Sequence, residues 1–199
     1  MLGKFTRDPP LTISLLGVAA LTLLVRRRRT ARLDRRWSDR VGNGKPLALN
    51  VSSAAKPTSG FVETLVVAAL PRLRGSERLM TLTAPLLSGL AGHALKRLVP
   101  RRRPGWAGLG ENGKQSFPST HSAHAAALAY TVAKMAREHG AGAWTDVAAT
   151  AVVAVMAFER LRARAHWPTD VLAGALVGLA SARLAGALTS PRSSPYFAR

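Results

Sequence analysis

Three short polar clusters interrupt otherwise apolar stretches of the sequence, at residues 96–104, 117–121 and 160–170. They read Lys-x6-Arg-Pro, Pro-Ser-x-His and Arg-x5-His-x3-Asp. Lysine and arginine bind phosphoryl oxygens, and a histidine oriented by a carboxylate can act as a nucleophile or a proton carrier. Together the clusters therefore contain the groups needed to bind a phosphate and attack it.

Each cluster alone also has a purely structural explanation. Basic residues after Lys96 are typical of the end of a membrane helix, and Ser119 before a helix is typical of its N-cap. Asp170 is a common anion in a first helical turn. His124, one turn after His121, is expected to be a packing or polar-contact residue. Because the three explanations do not predict one another, their joint occurrence favours a shared site.

The composition combines strong positive charge with high hydrophobicity. The chain has 199 residues, no cysteine and a formal net charge of +19, from 29 Lys and Arg against 10 Asp and Glu. The length favours one domain, and disulfides are excluded. The charge suits nucleic acid, anionic lipid or a phosphorylated substrate as a partner. Since 47% of the residues are hydrophobic, the basic and apolar residues must be segregated, as in a basic membrane protein.

Residues 1–60 are predicted to form a membrane helix and a basic linker. Leu11–Val25 is almost wholly apolar and is followed at once by four arginines. A signal peptide is basic before its apolar core, so a membrane anchor fits better, with an uncleaved interfacial helix as the alternative. The segment is shorter than the roughly 20 residues that span a bilayer, so flanking residues would have to extend it. One amphipathic helix is expected around Leu33–Val41 in the linker.

Five further apolar segments follow, each rich in the small residues that let membrane helices pack closely. They are Phe61–Leu73, Leu79–Leu95, Ala123–Ala136, Trp144–Phe158 and Val171–Leu188. A soluble helical bundle is the alternative, because apolar runs of about 10 to 14 residues also occur in buried core helices. We predict an all-α, polytopic membrane bundle of about six helices. Its catalytic helical domain would span residues 61–188, and residues 189–199 would form a tail.

In this order, the three motifs resemble the signature of the type 2 phosphatidic acid phosphatase (PAP2) superfamily, which also includes bacterial acid phosphatases and vanadium haloperoxidases. The resemblance covers about Phe61–Leu188. It implies a PAP2/haloperoxidase-like helical core and the activity of a membrane phosphatase. No metal or other cofactor is implied, because cations replace the metal and the sequence offers no clustered carboxylates for Mg²⁺.

The resemblance also implies a role for each motif residue. His166 would attack phosphorus and form a phosphohistidine, oriented by Asp170. His121 would protonate the leaving group and then act as the base that activates water. The phosphoryl oxygens would be bound by three cations and a helix start, namely Lys96, Arg103, Arg160, Ser119 and Thr120.

Two positions depart from the usual pattern of the family. Thr120 stands where Gly is usual, which is acceptable if its backbone dihedral angles are ordinary. Glu159 stands where Ser is usual, just before Arg160. Its carboxylate either points into the pocket and weakens anion binding, or points away and bonds to Arg162 or Arg164. We favour the second arrangement.

The membrane helices favour a lipid substrate within this superfamily. The expected reaction is hydrolysis of phosphatidate, phosphatidylglycerol phosphate, a polyprenyl diphosphate or a polyprenyl-linked sugar phosphate. One alternative is a lipid-linked phosphotransferase on the same fold. Another is a non-catalytic basic membrane protein with a lapsed site, whose arginines bind anionic lipid or nucleic acid. A soluble haloperoxidase-like role is the least favoured, and nucleic acid is not expected as a partner.

The expected location is a plasma or inner cell membrane, as an integral multi-pass protein. The linker from Arg26 to Gly60 carries ten Lys and Arg against two Asp. The positive-inside rule places such a segment in the cytoplasm. Two predicted spans separate the linker from the first polar cluster, so the cluster lies on the same side of the membrane as the linker. Many membrane relatives instead face their site outward. The sequence leaves the identity of the lipid and the oligomeric state open.

Overall fold

The computed structural model of the chain describes residues 9–41, 64, 67–68, 73–104 and 115–189. Within these ranges all regular structure is helical. The helices are α1 (Pro9–Arg26), α2 (Ala31–Val41), α3 (Gly75–Leu98), α4 (Thr120–Glu138), α5 (Trp144–Arg162) and α6 (Pro168–Thr189). The predicted all-α bundle of about six helices is confirmed.

The N-terminal part of the chain folds as two helices joined by a tight turn. The apolar segment Leu11–Val25 lies in α1, and the amphipathic helix expected at Leu33–Val41 is α2. The next predicted segment, Phe61–Leu73, falls largely outside the described residues, although Thr64 and the pair 67–68 within it are helical. The predicted tail, residues 189–199, also lies outside them except for Thr189, which is the last residue of α6.

The other four predicted segments are helices that extend beyond their apolar runs. Polar residues continue or cap the helices at these ends, except at the start of α5, where Ala143 precedes Trp144. In α3, the Glu77 carboxylate accepts a hydrogen bond of 2.7 Å from the Arg74 backbone N–H and so caps the first turn. In α6, Pro168 occupies the first helical position, where its missing N–H has no structural cost. These caps fix where α3 and α6 begin, and therefore which side chains lie at their ends.

Close packing of α4 against α6 brings their N-terminal ends together. A Cβ atom on Gly174 would lie 2.3 Å from the Ser119 carbonyl oxygen, and one on Gly178 would lie 2.2 Å from the Ala123 carbonyl oxygen. Only glycine permits this approach. At the N-terminal end of this contact, the Ser119 N–H donates a 2.9 Å hydrogen bond to the Asp170 carbonyl. Helix α3 packs against both helices, α5 packs against α4, and α1 packs against α6.

The outer faces of α1, α3 and α5 expose many large apolar side chains, as expected of helices that face lipid. By length and composition, α1 (18 residues, mean hydropathy 1.6) and α6 (22 residues, mean hydropathy 1.8) could cross a membrane. Rows of large apolar side chains are exposed on two further helices. They are Leu79, Leu82, Leu86 and Leu90 on α3, and Val147, Val152, Val155 and Phe158 on α5.

Candidate active site

The polar clusters predicted from the sequence meet at one end of the bundle, where α3 ends and α4 and α6 begin. Lys96, in the last turn of α3, donates hydrogen bonds from Nζ to the Gln115 carbonyl (3.1 Å) and the Pro118 carbonyl (2.9 Å). An ammonium has three N–H donors, so one remains for a further acceptor. Lys96 therefore fixes the segment that leads into α4 and keeps a charged donor at the site.

Arg103 brings a second cation to the same place. Its Nη1 donates a 3.2 Å hydrogen bond to the Ala165 carbonyl, just before His166. Burial lowers the pKa of Arg103, Asp170 opposes that change, and Arg160 adds to it by repulsion. The guanidinium stays charged at neutral pH. Arg103 is thus repelled by Lys96 in α3 and by Arg160 in α5, and an anion bound beside it would relieve that repulsion.

The end of α5 directs the next residues into the interior. The Ala165 N–H bonds to the Arg160 carbonyl (3.1 Å) and the Arg164 N–H to the Leu161 carbonyl (3.0 Å). These two bonds form a Schellman motif, with Arg164 at φ 49° in the left-handed region. The reversal exposes the Ala165 carbonyl to Arg103 and places His166, which is 1% exposed, inside the bundle.

The imidazole of His166 is held mainly by a backbone carbonyl. Its Nδ1 lies 2.8 Å from the Ser116 carbonyl oxygen, which can only accept, so Nδ1 carries the hydrogen. The Asp170 carboxylate lies 3.7 Å from the same nitrogen, an ion-pair distance longer than a hydrogen bond. Nε2 is then the nitrogen with a lone pair. The sequence predicted Asp170 as the orienting group, whereas the closer contact of this nitrogen is with the Ser116 carbonyl.

Burial lowers the pKa of His166. The neighbouring Asp170 opposes this change, whereas Arg103 and Lys96 add to it. A pKa below the ordinary value near 6.5 leaves the ring neutral at pH 7. The histidine therefore combines a fixed tautomer with the protonation state that a nucleophile requires.

Asp170 is fully buried and satisfied by several donors. It accepts hydrogen bonds from the Trp167 backbone N–H (2.8 Å) and from Arg101 Nη1 (2.6 Å). The bond from Trp167 caps the first turn of α6. The structural explanation of Asp170 as a helix-start anion is therefore confirmed, and the same carboxylate also lies 3.7 Å from His166.

The start of α4 matches the predicted helix N-terminus. Ser119 is the N-cap, and its Oγ accepts hydrogen bonds from the Ser122 N–H (3.3 Å) and the Ser122 hydroxyl (3.0 Å). Its own hydroxyl hydrogen remains to be donated. Thr120 is the first helical residue, so its backbone dihedral angles are ordinary, as its tolerance in place of Gly requires. His121 follows in the same turn, half-buried and beside the cap.

Two further sequence expectations concern residues beside the site. His124 makes a polar contact of 3.3 Å with Thr64, as predicted for a residue outside the chemistry. Glu159 is 3% exposed, and its negative charge acts on the Arg160 guanidinium. The preferred pairing of Glu159 with Arg162 or Arg164 stays a prediction.

Sequence reasoning missed three groups that the structure brings to the site. Arg101 counted only as one of several basic residues after α3, and Asp34 only as part of the charge of the linker. The Ser116 carbonyl has no side-chain signature. For Asp34 a signal existed, because Asp34 and Ser38 are four residues apart and share one helical face, about 100° around the helix from the face of Leu33 and Trp37.

The sequence model of the PAP2 superfamily matches residues 78–193, more than half of the chain. The chain belongs to the PAP2 superfamily. All eight predicted site residues lie within the PAP2 match. No match is found among curated protein sequences.

Solved structures share the PAP2 fold described above. One is the transmembrane PAP2-type phosphatidylglycerolphosphate phosphatase from Bacillus subtilis, with a TM-score of 0.73 and 21% identity, covering 92% of this chain and 98% of that one. Another is Aquifex aeolicus LpxE, with a TM-score of 0.60 and 22% identity, covering 77% of this chain and 94% of that one. At these identities the likeness establishes the fold.

Proposed function

We propose that this PAP2 protein hydrolyses a lipid phosphate monoester or diphosphate through a phosphohistidine intermediate. The observation that carries the proposal is the position of His166, which is buried and held through Nδ1 by the Ser116 carbonyl at 2.8 Å, and burial lowers its pKa. Its Nε2 lone pair can attack phosphorus, while Lys96, Arg103 and Arg160 neutralise the phosphoryl oxygens.

The reaction consists of two displacements at phosphorus. In the first, the bond from Nε2 to phosphorus forms and the bond from phosphorus to the leaving oxygen breaks. That oxygen is the lipid oxygen of a monoester or the bridging oxygen of a diphosphate, and His121 gives its proton to it. In the second, a water molecule loses a proton to His121 and attacks phosphorus, which releases inorganic phosphate and restores His166. Asp170 stabilises the positive ring that exists between the two steps. Ser119 and the first N–H groups of α4 supply further donors to the phosphoryl oxygens.

Fixed cations take the place of a metal ion in this proposal. Among the described residues no group of three or more His, Cys, Asp or Glu side chains is arranged to hold a metal. Metal independence is tested by phosphate release in excess EDTA, which should leave the rate unchanged. A rate that requires Mg²⁺ would contradict this part of the proposal.

A lipid substrate is supported by the apolar surfaces of the bundle and by what its structural neighbours are. The outer faces of α1, α3 and α5 expose large apolar side chains, and one neighbour is a phosphatidylglycerolphosphate phosphatase. The site lies at the end of the helices, where the headgroup of a membrane lipid would reach it. Phosphatidate, phosphatidylglycerol phosphate, polyprenyl diphosphates and polyprenyl-linked sugar phosphates are the candidate substrates.

The test is phosphate release by the full chain in detergent across that lipid panel, with His166→Ala as the negative control. Brief incubation with a lipid labelled in its phosphate should leave an acid-labile label on the wild-type protein and none on the variant. Release that persists in His166→Ala, or an absence of release from every lipid, would contradict the proposal. Transfer of phosphate to added alcohols instead of water would identify the alternative, a phosphotransferase. Vanadate that fails to bind would support a lapsed, non-catalytic site.

We further propose a multi-pass topology with the site on the cytoplasmic face. Contacts of Asp34 on α2 with Arg101 and Thr169 support a common side for the basic linker and the site. The ten basic residues between Arg26 and Gly60 favour the cytoplasm for that side. A reporter fused after Arg199 should then report from outside the cytoplasm, and a cytoplasmic signal would reverse the orientation.

A further inference from the structure

Helix α2 directs a carboxylate into the protein, although most of its residues are exposed. Asp34 is fully buried, 0% exposed. Its Oδ1 accepts hydrogen bonds from the Thr169 N–H (3.1 Å) and the Thr169 hydroxyl (3.0 Å), and its Oδ2 accepts one of 2.6 Å from Arg101 Nη2. A buried carboxylate needs such partners, because an unpaired charge in the interior is strongly unfavourable. Asp34 thus binds α2 to the first turn of α6 and to the loop after α3.

Arg101 connects this carboxylate to the active site. One guanidinium nitrogen contacts Asp34 and the other donates a 2.6 Å hydrogen bond to Asp170 Oδ1. The flat face of the group stacks on the Trp167 ring, with 5.3 Å between the guanidinium carbon and the ring centroid. Hydrogen bonds and stacking together fix the plane of Arg101. A continuous series of contacts therefore runs from Asp34 through Arg101 and Asp170 to His166.

We infer that Asp34 is a positioning residue for catalysis. Through the shared guanidinium of Arg101, it sets the direction of the Asp170 carboxylate and how strongly that carboxylate supports a positive charge on His166. The inference rests on the proposed function of His166 as a nucleophile. Arg101 balances two carboxylates while Asp34 is charged. Without the negative charge of Asp34, the positive charge of Arg101 acts on Asp170 alone. Asp170 is then drawn toward Arg101 and supports a positive charge on the His166 ring less well.

The charged groups around His166 set the direction of the expected change. Asp170 on α6 favours the positive ring, whereas Lys96 on α3 and Arg103 on the following loop oppose it. Arg101 and Asp34 lie behind Asp170. Removal of the Asp34 charge adds net positive charge on this side, so it disfavours protonation of His166 further.

Asp34 could instead serve only to attach α2 to α6, and the experiment must separate the two roles. Asp34→Asn keeps the size of the side chain and an acceptor for Thr169 but removes the charge. The matched control is Asp39→Asn on the same helix, because Asp39 is 78% exposed and contacts Arg164 only at 3.9 Å. Asp34→Glu restores the charge and serves as the rescue variant.

With the full chain in detergent, we expect Asp34→Asn to lower kcat about tenfold or more, while KM changes less than about twofold. A loss of this size is typical when a partner that orients a metal-ligating side chain is removed, and Asp34 would act on Asp170 in a similar way. The acidic limb of its kcat/KM profile should move to lower pH. Asp39→Asn should match the wild type, and Asp34→Glu should recover part of kcat. If the loss in Asp34→Asn merely follows the fraction of folded protein, with an unmoved acidic limb, Asp34 only attaches α2 and the inference is wrong.

A second readout keeps the inference separate from the proposed function. If the wild type releases no phosphate, that function fails, and the ring ¹³C shifts of His166 in histidine-labelled protein decide the rest. The His166 signal, assigned with His166→Ala, should move at fixed pH in Asp34→Asn and stay in place in Asp39→Asn. Equal spectra for the two variants would contradict the role of Asp34.

Discussion

A histidine lies beside a carboxylate at each end of the α3–α4 pair, and the two contacts differ in almost every physical respect. At the site, His166 and Asp170 are 1% and 0% exposed and 3.7 Å apart. At the opposite end, His139 after α4 donates a 2.9 Å hydrogen bond from Nε2 to the Glu77 carboxylate in α3, and the histidine is 47% exposed. The pair at the far end has the shorter contact, yet the other pair has the arrangement suited to chemistry.

The difference teaches that a nearby carboxylate does not make a histidine a nucleophile. The imidazole of His139 is hydrogen-bonded through Nε2 to Glu77 and is partly exposed to water, so the pair joins the ends of α3 and α4. The imidazole of His166 is instead fixed through Nδ1 by the Ser116 carbonyl, and the charges of Arg103 and Lys96 act on it. A fixed tautomer beside a positive pocket is what distinguishes the two.

The largest contrast is expected from removing each histidine in turn. His166→Gln should reduce phosphate release about 10³-fold or more, since the variant has no nucleophile to form the intermediate. His139→Gln should retain activity within about twofold, because its pair lies at the far end of the bundle. Initial rates on the best lipid of the panel measure both. Comparable losses in the two variants would mean that the pairs do not differ as described.

Removal of one cation of the positive pocket should have the next largest effect. Lys96→Ala should lower kcat/KM about 10²- to 10³-fold, since a fixed charge opposite the developing phosphoryl charge is lost. Lys134→Ala is the control, because Lys134 forms an exposed ion pair with Glu138 on α4. Inhibition by vanadate should weaken in the first variant and persist in the second. Equal inhibition of both would remove Lys96 from the anion site.

The pH dependence should distinguish the site histidine from an ordinary one. Because burial lowers the pKa of His166, its neutral form persists below pH 6.5, and the acidic limb of kcat/KM should lie below that value. Asp170 raises the pKa of His166, so Asp170→Asn should move the limb further toward acid, in addition to lowering the rate. A limb above pH 7 in the wild type would contradict a neutral, buried nucleophile.

The carboxylate beside Arg160 should have a smaller effect. Glu159→Ser removes a buried negative charge that partly offsets Arg160, so affinity for vanadate should rise only a few-fold, about two- to fivefold for a partly screened interaction. Glu159→Gln, of similar size, separates charge from volume. An increase of a hundredfold or more would mean that Glu159 points into the phosphate pocket, against the arrangement we favour.

The smallest effect on activity is expected at the far end. Glu77→Gln weakens the contact with His139 and the cap on Arg74, so stability should fall by about 1 kcal/mol, which corresponds to roughly 2–4 °C in Tm for a chain of this size. Phosphate release at 25 °C should be unchanged. A loss of activity larger than the loss of folded protein would show that the two ends are coupled.

Much of the bundle is predictable because apolar runs and helix caps are local signals. The segment expected at Leu79–Leu95 is α3, Gly75–Leu98, and the one at Val171–Leu188 is α6, Pro168–Thr189. The boundaries were short by a few residues because polar caps such as Glu77 continue a helix past its apolar run. The close approach of α4 and α6 at Gly174 could not be read from the sequence, since small residues permit contact without specifying a partner.

The candidate site, like the bundle, could be predicted from the sequence only in part. Its motif residues are recognisable because their types and spacing recur together, and the structure brings the cations and His166 to one end of the bundle. Asp34 contacts Arg101 across 67 positions of the chain, and only tertiary packing decides such a pair. The bond from His166 goes to a backbone carbonyl, which every residue possesses. Sequence therefore indicates the motif residues of the proposed site better than the backbone and distant groups that contact them.

The position of Asp34 along the chain has a consequence for how this protein is divided into modules. The family match begins at residue 78, and Asp34 lies well before it. A chimera that joins residues 61–188 to a foreign membrane anchor would keep every motif residue and still lack the carboxylate that shares Arg101. Exchanges between relatives would therefore need to carry α2 along with the recognised domain.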